Sequence, residues 1–203
     1  MIKNIVFDIG NVLVRWSPID IISTVFKENA NSQALAQKFF KSPLFYDLNL
    51  GKITEEEAVL LYAQELDLPV YIVKEVFKVA KGSLIPLEGS FELLEEVYQA
   101  NIPLYCITDN VREFVTHLKS RYSFFEKFRG VVISAEIGVL KPSAKIFQHL
   151  LDTYNLTPEE TVFIDDVVVN VEGAQAVGMQ GIHFTDAFQC RQELIKLGFT
   201  QLA

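Results

Sequence analysis

The chain has 203 residues, half of them hydrophobic, and a formal net charge of −8 at pH 7. This composition excludes a disordered chain, and the absence of any Lys/Arg-rich run argues against a nucleic-acid or anionic-membrane partner. Two cysteines make no disulfide framework, and no apolar stretch approaches the ~20 residues that span a bilayer. We therefore expect a cytoplasmic protein without nucleic-acid or membrane partners.

The first predicted strand, residues 2–8, is an apolar run that ends in Asp8 and is followed by Gly10. In an open parallel sheet, ligands bind outside the carboxyl ends of the strands, so this position suits a reactive carboxylate. The same Asp-x-Gly pattern also begins ordinary turns. Taken alone, the pattern leaves both interpretations of Asp8 open.

Residues 15–84 show no convincing strand. Thr54 and Glu57 have the spacing of a capping box, which marks a helix start, and Gly51 fits a helix end or turn. A block of helices directly after the first strand predicts a helical cap over residues 15–84, inserted into a core domain of residues 1–14 and 85–203. The predicted cap helices are residues 19–28, 32–40, 54–66 and 70–80.

After residue 85, short β-branched and aromatic runs alternate with helical patterns. A capping pattern at Thr157 predicts a short helical turn with this threonine as its N-cap. The alternation predicts an α/β fold, a doubly wound parallel sheet with helices on both faces. The predicted strands are residues 103–108, 131–134, 161–165 and 181–184, and the clearest helices are residues 91–98 and 144–154.

Asp165 and Asp166 directly follow a predicted buried strand. Adjacent carboxylates in such a place are costly unless a cation neutralises them, and Mg²⁺ prefers hard oxygen ligands. The purely structural alternative is that one of the two aspartates caps the following helix and the other is a solvated carboxylate. Because Asp8 ends a strand of the same sheet, the three carboxylates together favour a Mg²⁺ site at one edge of the sheet.

Smaller signals lie at two other places. Thr108, Asp109 and Asn110 follow the strand 103–108, and Lys141 follows a turn. A hydroxyl and an ammonium at this edge suit the oxygens of a phosphate group. Taken singly, Thr108 is better explained as a helix cap and Lys141 as an exposed charge before a proline.

The order Asp8, Thr108, Lys141, Asp165-Asp166 resembles the four motifs of the haloacid dehalogenase (HAD) superfamily, over essentially the whole chain. The helical insertion after the first motif resembles the C1-type cap of its subfamily I. Residues 8–13 and 170–174 look most like bacterial sugar-phosphate phosphatases of the α-glucose-1-phosphate phosphatase type.

The resemblance implies a Rossmann-like core and a Mg²⁺-dependent phosphatase that acts on a small phosphate ester, with sugar phosphates among the expected substrates. Asp8 would be the nucleophile that forms an aspartyl-phosphate. Asp8, the Gly10 carbonyl, Asp165 and Asp166 would bind the metal. The expected oligomeric state is a monomer or weak homodimer.

The resemblance also implies roles around the phosphate. Thr108 and Lys141 would bind the transferring oxygens, and Asp109 or Asn110 would contact the phosphate or the leaving group. These residues would neutralise charge and position the reacting groups, which are the two effects that dominate phosphoryl transfer.

Substrate choice in capped members of the superfamily comes from residues that face the catalytic Asp. Among the candidates, Trp16 and Tyr46 would stack on a sugar or ring, and Arg15 would clamp an anionic group. The full set of candidates is Arg15, Trp16, Phe45, Tyr46, Asp47 and Asn49. The alternative is that the aromatic residues pack the cap onto the core and that Arg15 pairs with a surface carboxylate.

The sequence departs from the superfamily in two places. Gly10 stands where most phosphatases of the superfamily carry a second Asp that protonates the leaving oxygen. A contribution of typically ~10²–10⁴-fold must therefore be lost or come from elsewhere, with Asp109 and a water on Mg²⁺ as the candidates. Residues 167–169 are all valine, whereas relatives usually carry polar residues at the first and third of these positions, where they support the metal. Two alternatives remain open, a metal-independent 2-haloacid dehalogenase and a catalytically weak regulatory protein that binds phosphate.

Overall fold

The computed structural model describes residues 2–27 and 31–202. Its sheet has five parallel strands in the order β3-β2-β1-β4-β5, which confirms the predicted doubly wound α/β fold. The strand at 161–165 has its predicted bounds, and the other four are displaced by one or two residues. The strands are β1 (Asn4–Phe7), β2 (Leu104–Thr108), β3 (Gly130–Ile133), β4 (Thr161–Asp165) and β5 (Gln180–His183).

Helices follow the strands on both faces of the sheet. Among the described residues, no helix is both long and apolar enough to span a membrane. The helices after the inserted segment are α6 (Ser90–Gln99), α7 (Arg112–Arg121), α8 (Ser134–Ile137), α9 (Ala144–Tyr154), α10 (Val168–Ala176) and α11 (Ala187–Lys196).

The alternation of side chains along each strand creates two packed layers. Ile5 and Phe7 of β1 belong to a cluster on one face, with α6, α7 and α11. Val6 points to the opposite face and packs with α9, where Phe147 and Phe163 meet edge to face at 5.2 Å. Successive strand residues point to opposite faces of the sheet, so a strand of apolar residues is buried on both sides. This burial fixes the position of the strand's carboxyl end.

Five helices lie between β1 and α6, in the segment predicted to be a cap. Four match the predicted helices closely, although the predicted last residue of the first, Glu28, lies outside the described residues. The division of the chain into core and cap domains stays a prediction. The helices are α1 (Pro18–Phe26), α2 (Ser32–Phe40), α3 (Pro43–Asn49), α4 (Glu55–Glu65) and α5 (Val70–Gly82).

Helix α3 was not predicted. Ser42 caps it by accepting a hydrogen bond from the Phe45 N–H at 3.2 Å, and Pro43 occupies its first turn. The helix is followed by Gly51 at φ +66°, where a Cβ atom would lie 2.0 Å from the Ala135 carbonyl oxygen. A glycine at this position therefore lets the helical segment approach the sheet end of the molecule closely.

Two predicted helix starts have different outcomes. The capping box of α4 is confirmed, since Thr54 Oγ1 accepts from the Glu57 N–H at 3.2 Å and Glu57 accepts from the Thr54 N–H at 2.8 Å. The predicted short turn after Thr157 is present as the 3₁₀ turn Pro158–Glu160, with Thr157 at its N-cap position. The Thr157 side chain makes no cap hydrogen bond, and its carbonyl accepts from Thr161 Oγ1 at 2.9 Å.

Candidate active site

Three carboxylates meet where β1 and β4 end. The two strands are neighbours in register, so the Asp8 N–H donates to the Ile164 carbonyl at 2.9 Å and Asp8 lies beside Asp165. Asp166 is the next residue along the chain. One oxygen from each of Asp8, Asp165 and Asp166 lies within 4.8 Å of the others, which is close enough for a single cation to contact all three.

Lys141 is the cation that the chain itself brings to this cluster. Its side chain is almost entirely buried, and its Nζ atom lies 2.8 Å from Asp8 Oδ1 and 2.7 Å from Asp165 Oδ2. Burial alone would lower the pKa of Lys141, but the neighbouring carboxylates of Asp8 and Asp165 raise it above its usual value. The side chain is therefore a permanent ammonium between two carboxylates.

Asp165 accepts hydrogen bonds from three residues. Besides Lys141, it accepts the Val167 N–H at 2.8 Å, and the Asn170 side-chain amide contacts both of its oxygens at 3.1 and 3.2 Å. These bonds compensate the cost of burying a carboxylate that is 0% exposed. Asn170 was not singled out from the sequence, because only the turn into α10 brings it back to the end of β4.

Asp166 is half-buried and less constrained. Asn11 connects Asp166 to Trp16. The side-chain N–H of Asn11 donates to Asp166 Oδ2 at 3.3 Å, and Asn11 Oδ1 accepts the Trp16 backbone N–H at 2.9 Å. His183 contacts the Asp166 carbonyl at 3.0 Å. Burial, and then the charge of Asp165, raise the pKa of Asp166. Asn11 is a second residue whose role the sequence alone did not reveal.

Asp109 lies on the other side of Lys141. Both of its carboxylate oxygens are 3.1 Å from the backbone N–H of Lys141. Burial raises the pKa of Asp109 to about 6, and burial likewise raises the pKa of Asp8 to about 7, although Lys141 opposes both shifts. Both carboxyl groups therefore gain or lose a proton near neutral pH.

A cavity of about 260 Å³ opens over the carboxylates. Among the residues predicted for the site, Thr108 ends β2, is only 1% exposed and lies outside the cavity lining. Outside the lining as well are Arg15, Tyr46, Asp47 and Asp165. The predicted residues that line the cavity are Asp8, Gly10, Trp16, Phe45, Asn49, Asp109, Asn110, Lys141 and Asp166. The chemical role of every one of these residues stays a prediction.

Arg15 and Tyr46 point elsewhere for identifiable reasons. Arg15 forms an ion pair with Asp20 at the surface, and Tyr46 is 56% exposed. On α3, the neighbouring Phe45 lines the cavity instead. The sequence could not distinguish Phe45 from Tyr46, because the orientation of a helix that was not predicted decides which ring points inward.

Three aromatic rings line the same cavity as the carboxylates. We call Trp16, Phe45 and Phe114 the aromatic wall. The rings of Trp16 and Phe45 are parallel with centroids 6.1 Å apart, and Phe114 packs on Trp16 at 6.1 Å. The cavity lining therefore combines charged groups with a cluster of packed apolar rings.

The donor set suits a hard divalent cation. Three carboxylates around one point exceed the single positive charge of Lys141, and Mg²⁺ is typically bound through a few carboxylate oxygens together with water and substrate phosphate. Asp8 therefore combines two properties, a place among metal-binding oxygens and a carboxylate oxygen directed into a cavity. This arrangement can place the phosphorus of a phosphate ester against a carboxylate nucleophile.

Comparison with protein families gives one match over most of the chain. Residues 2–178 match the model of the haloacid dehalogenase-like hydrolases. The matched range contains all of the strand-end carboxylates and Lys141.

Two similar proteins are phosphatases of comparable length. The chain is 28% identical over 195 residues to the sesquiterpene phosphatase of Aspergillus oryzae, covering 96% of each protein. It is 25% identical over 207 residues to the D-ribitol-5-phosphate phosphatase of Bacteroides thetaiotaomicron, covering 96% of this chain and 97% of that protein.

Solved structures share the fold. A HAD family enzyme of Bacteroides thetaiotaomicron, in complex with magnesium and inorganic phosphate, aligns with a TM-score of 0.76 at 22% identity, over 91% of this chain and 95% of that chain. The L-2-haloacid dehalogenase of Xanthobacter autotrophicus aligns with a TM-score of 0.68 at 18% identity, over 96% and 83%. These likenesses show that the chain shares the fold of HAD enzymes.

Proposed function

The chain belongs to the family of haloacid dehalogenase-like hydrolases, and from this membership we propose that it is a Mg²⁺-dependent phosphatase that hydrolyses a small phosphate ester. The observation that carries the proposal is the convergence of Asp8, Asp165 and Asp166 within 4.8 Å, beside Lys141. The two phosphatases to which the chain is similar over their full length support the same class of substrate.

Asp8 is the proposed nucleophile. Lys141 holds Asp8 Oδ1, which leaves Oδ2 to attack phosphorus. The new bond joins Asp8 to the phosphoryl group, and the bond between phosphorus and the alcohol oxygen breaks. Water then attacks the aspartyl-phosphate, which releases inorganic phosphate and regenerates the carboxylate.

The proposed metal ligands are Asp8, Asp166 and the Gly10 carbonyl. Asp165 already accepts bonds from Lys141, Val167 and Asn170, so its proposed contribution is made through water. When bound, Mg²⁺ supplies positive charge that stabilises the developing charge on the phosphoryl oxygens. Lys141 supplies the rest of the positive charge, and Asn110 and Thr108 are the proposed polar contacts for the phosphate.

The leaving alcohol oxygen needs a proton, and Gly10 cannot provide one. Asp109 is the proposed donor, because it lines the cavity and burial raises its pKa to about 6. A carboxyl group with a pKa near the working pH is suited to general acid catalysis.

Steady-state phosphate release from p-nitrophenyl phosphate tests the proposal. We expect turnover with Mg²⁺, none with EDTA and a loss of at least ~10³-fold in kcat for Asp8→Asn, because the amide is not a nucleophile. The matched control is Asp152→Asn, the same substitution at an exposed carboxylate on α9. Wild-type activity in Asp8→Asn would contradict the nucleophile assignment.

The same preparation separates the two alternatives. A metal-independent dehalogenase would release halide from a 2-haloacid in EDTA, whereas a regulatory protein would bind phosphate without turning over any ester. The three clustered carboxylates disfavour the first alternative, because attack of Asp8 on carbon requires no metal and gains nothing from two further negative charges.

A further inference from the structure

The aromatic wall indicates which alcohol the substrate carries. Resting on the phosphatase function proposed above, we propose that the substrate is a phosphate monoester of a compact apolar alcohol, whose hydrocarbon part packs against Trp16, Phe45 and Phe114. A sugar phosphate, the substrate class expected from the sequence, presents hydroxyl groups where this cavity presents rings.

The rings of the wall are held in place before any ligand binds. Trp16 packs face to face with Phe45 and edge to face with Phe40 at 5.2 Å, while Phe40 meets Phe45 edge to face at 5.2 Å. Phe114 closes the cluster from α7. Because these rings fix one another, binding an apolar group costs little ordering of side chains. Val14 and Leu84 extend the apolar lining.

Polar side chains of the lining are engaged with protein groups. Asn11 and Asn170 are bonded to the carboxylates, and Asp109 is bonded to the Lys141 backbone. Nearer the wall, the Asn49 amide donates to the Phe45 carbonyl at 2.9 Å, and Asn110 Oδ1 accepts the Val111 N–H at 3.0 Å.

The hydroxyl groups of a polyol would therefore lose water and find few partners among the described lining residues. Burying a polar group without a compensating hydrogen bond is unfavourable, whereas a methylene group gains from the same burial. This difference in the free energy of burial favours an apolar alcohol over a sugar next to the aromatic wall.

The size of the cavity sets a second limit. Its volume of about 260 Å³ lies just below the roughly 300–1,000 Å³ typical of pockets that bind small molecules. This space accommodates a phosphate group and a compact ring or short branched chain. A long unbranched chain would protrude into solvent.

Two phosphates of matched shape test the proposal. Cyclohexylmethyl phosphate has the ring and primary ester of glucose 6-phosphate without its hydroxyl groups. We expect kcat/KM with Mg²⁺ to be about 100-fold higher for cyclohexylmethyl phosphate, the scale on which apolar pockets discriminate. Equal or greater kcat/KM for glucose 6-phosphate overturns the proposal.

This result is distinguishable from failure of the phosphatase function itself. If neither ester nor p-nitrophenyl phosphate releases phosphate, the proposed function fails. If phosphate is released but the sugar ester is preferred, only the inference about the alcohol fails.

A variant pair assigns the preference to the wall. Phe45→Ala is expected to reduce the preference for cyclohexylmethyl phosphate about 10-fold, since it removes one ring of the apolar contact. Phe188→Ala is the control, because Phe188 is a 74% exposed ring on α11 outside the cavity lining. Circular dichroism checks the folded fraction of both. An unchanged preference in folded Phe45→Ala overturns the assignment, and the wild-type preference tests the proposal even if that variant does not fold.

Discussion

The residue at position 10 limits the proposed chemistry, because glycine has no side chain that could donate a proton. Gly10 lines the cavity two residues after Asp8, where the superfamily pattern usually has a second Asp. Its backbone does not require glycine, because it lacks the positive φ of Gly51 and Gly138. A Cβ atom there would meet only the Trp16 Cβ, at 4.0 Å. The structure therefore has room for a Cβ atom at this position.

We predict that Gly10→Asp raises kcat for an alkyl phosphate such as cyclohexylmethyl phosphate by about 10-fold or more, since a general acid contributes typically ~10²–10⁴-fold. The gain should be smaller for p-nitrophenyl phosphate, whose leaving group needs no proton. Gly10→Asn fills the same space without an acidic proton and is the matched control. Equal effects of the two substitutions would show that volume, not proton donation, is responsible.

Which site residues could be predicted depends on what places them. Asp8, Asp165 and Asp166 end or follow buried strands, and strand order alone brings such ends together. Asn11 and Asn170 reach the same carboxylates through loop and helix-start geometry, which no periodicity encodes. Only the structure therefore shows that these two asparagines contact the carboxylates.

Among the elements, the strands and long helices were predictable and α3 was not. A helix of seven residues completes too few turns to show a 3.6-residue period. Its start signals, Ser42 followed by Pro43, are present in the sequence and are the clue that could have revealed it. The missed helix mattered for the site, because α3 carries Phe45 into the cavity.

Helix α3 is tied to the loop after β2 by one hydroxyl group. Ser134 Oγ donates to the Asn49 carbonyl at 2.7 Å and accepts the Asn110 N–H at 3.0 Å. Ser134 is completely buried and its bond to the Asn49 carbonyl is buried as well, whereas Asn110 is half-buried. The Asn49 carbonyl therefore has no water to replace the hydroxyl group. This serine thereby couples the helix that carries Phe45 to the loop that carries Asp109.

We predict that Ser134→Ala lowers the free energy of unfolding by about 1–3 kcal/mol, because it leaves the buried Asn49 carbonyl without its partner. Ser90→Ala is the control, since Ser90 is also buried but its hydroxyl has no hydrogen-bond partner in the structure. Urea denaturation of both variants measures the difference. Equal losses for the two substitutions would argue against the coupling.

On the scale of the whole molecule, the cluster of carboxylates makes folding sensitive to protons and cations. Burial raises the pKa of Asp8 to about 7, well above its value in an unfolded chain. Without added cation, the contribution of Asp8 to stability is therefore fully present below the unfolded pKa and is lost as the pH rises through about 7. A divalent cation binds the ionised carboxylate and acts in the opposite direction.

We predict that saturating Mg²⁺ raises the Tm more at about pH 8 than at about pH 5.5, because protons compete for the same oxygens at the lower pH. Differential scanning fluorimetry at both pH values measures the shift. NaCl at equal ionic strength controls for screening of the overall charge of −8. A shift that is equal or larger at the acidic pH would contradict this placement of the cation.

Most of the aromatic wall comes from a different stretch of the chain than the charged groups. Asp8, Asp165 and Lys141 belong to the strand ends and the loop before α9, whereas Trp16 and Phe45 belong to the segment inserted after β1. Only Phe114 of the wall lies elsewhere, on α7. Substitutions in the inserted segment can thus alter which molecules enter without moving the groups that react. An engineer who wishes to retarget this protein would diversify positions 16 and 45 and leave the strand ends alone.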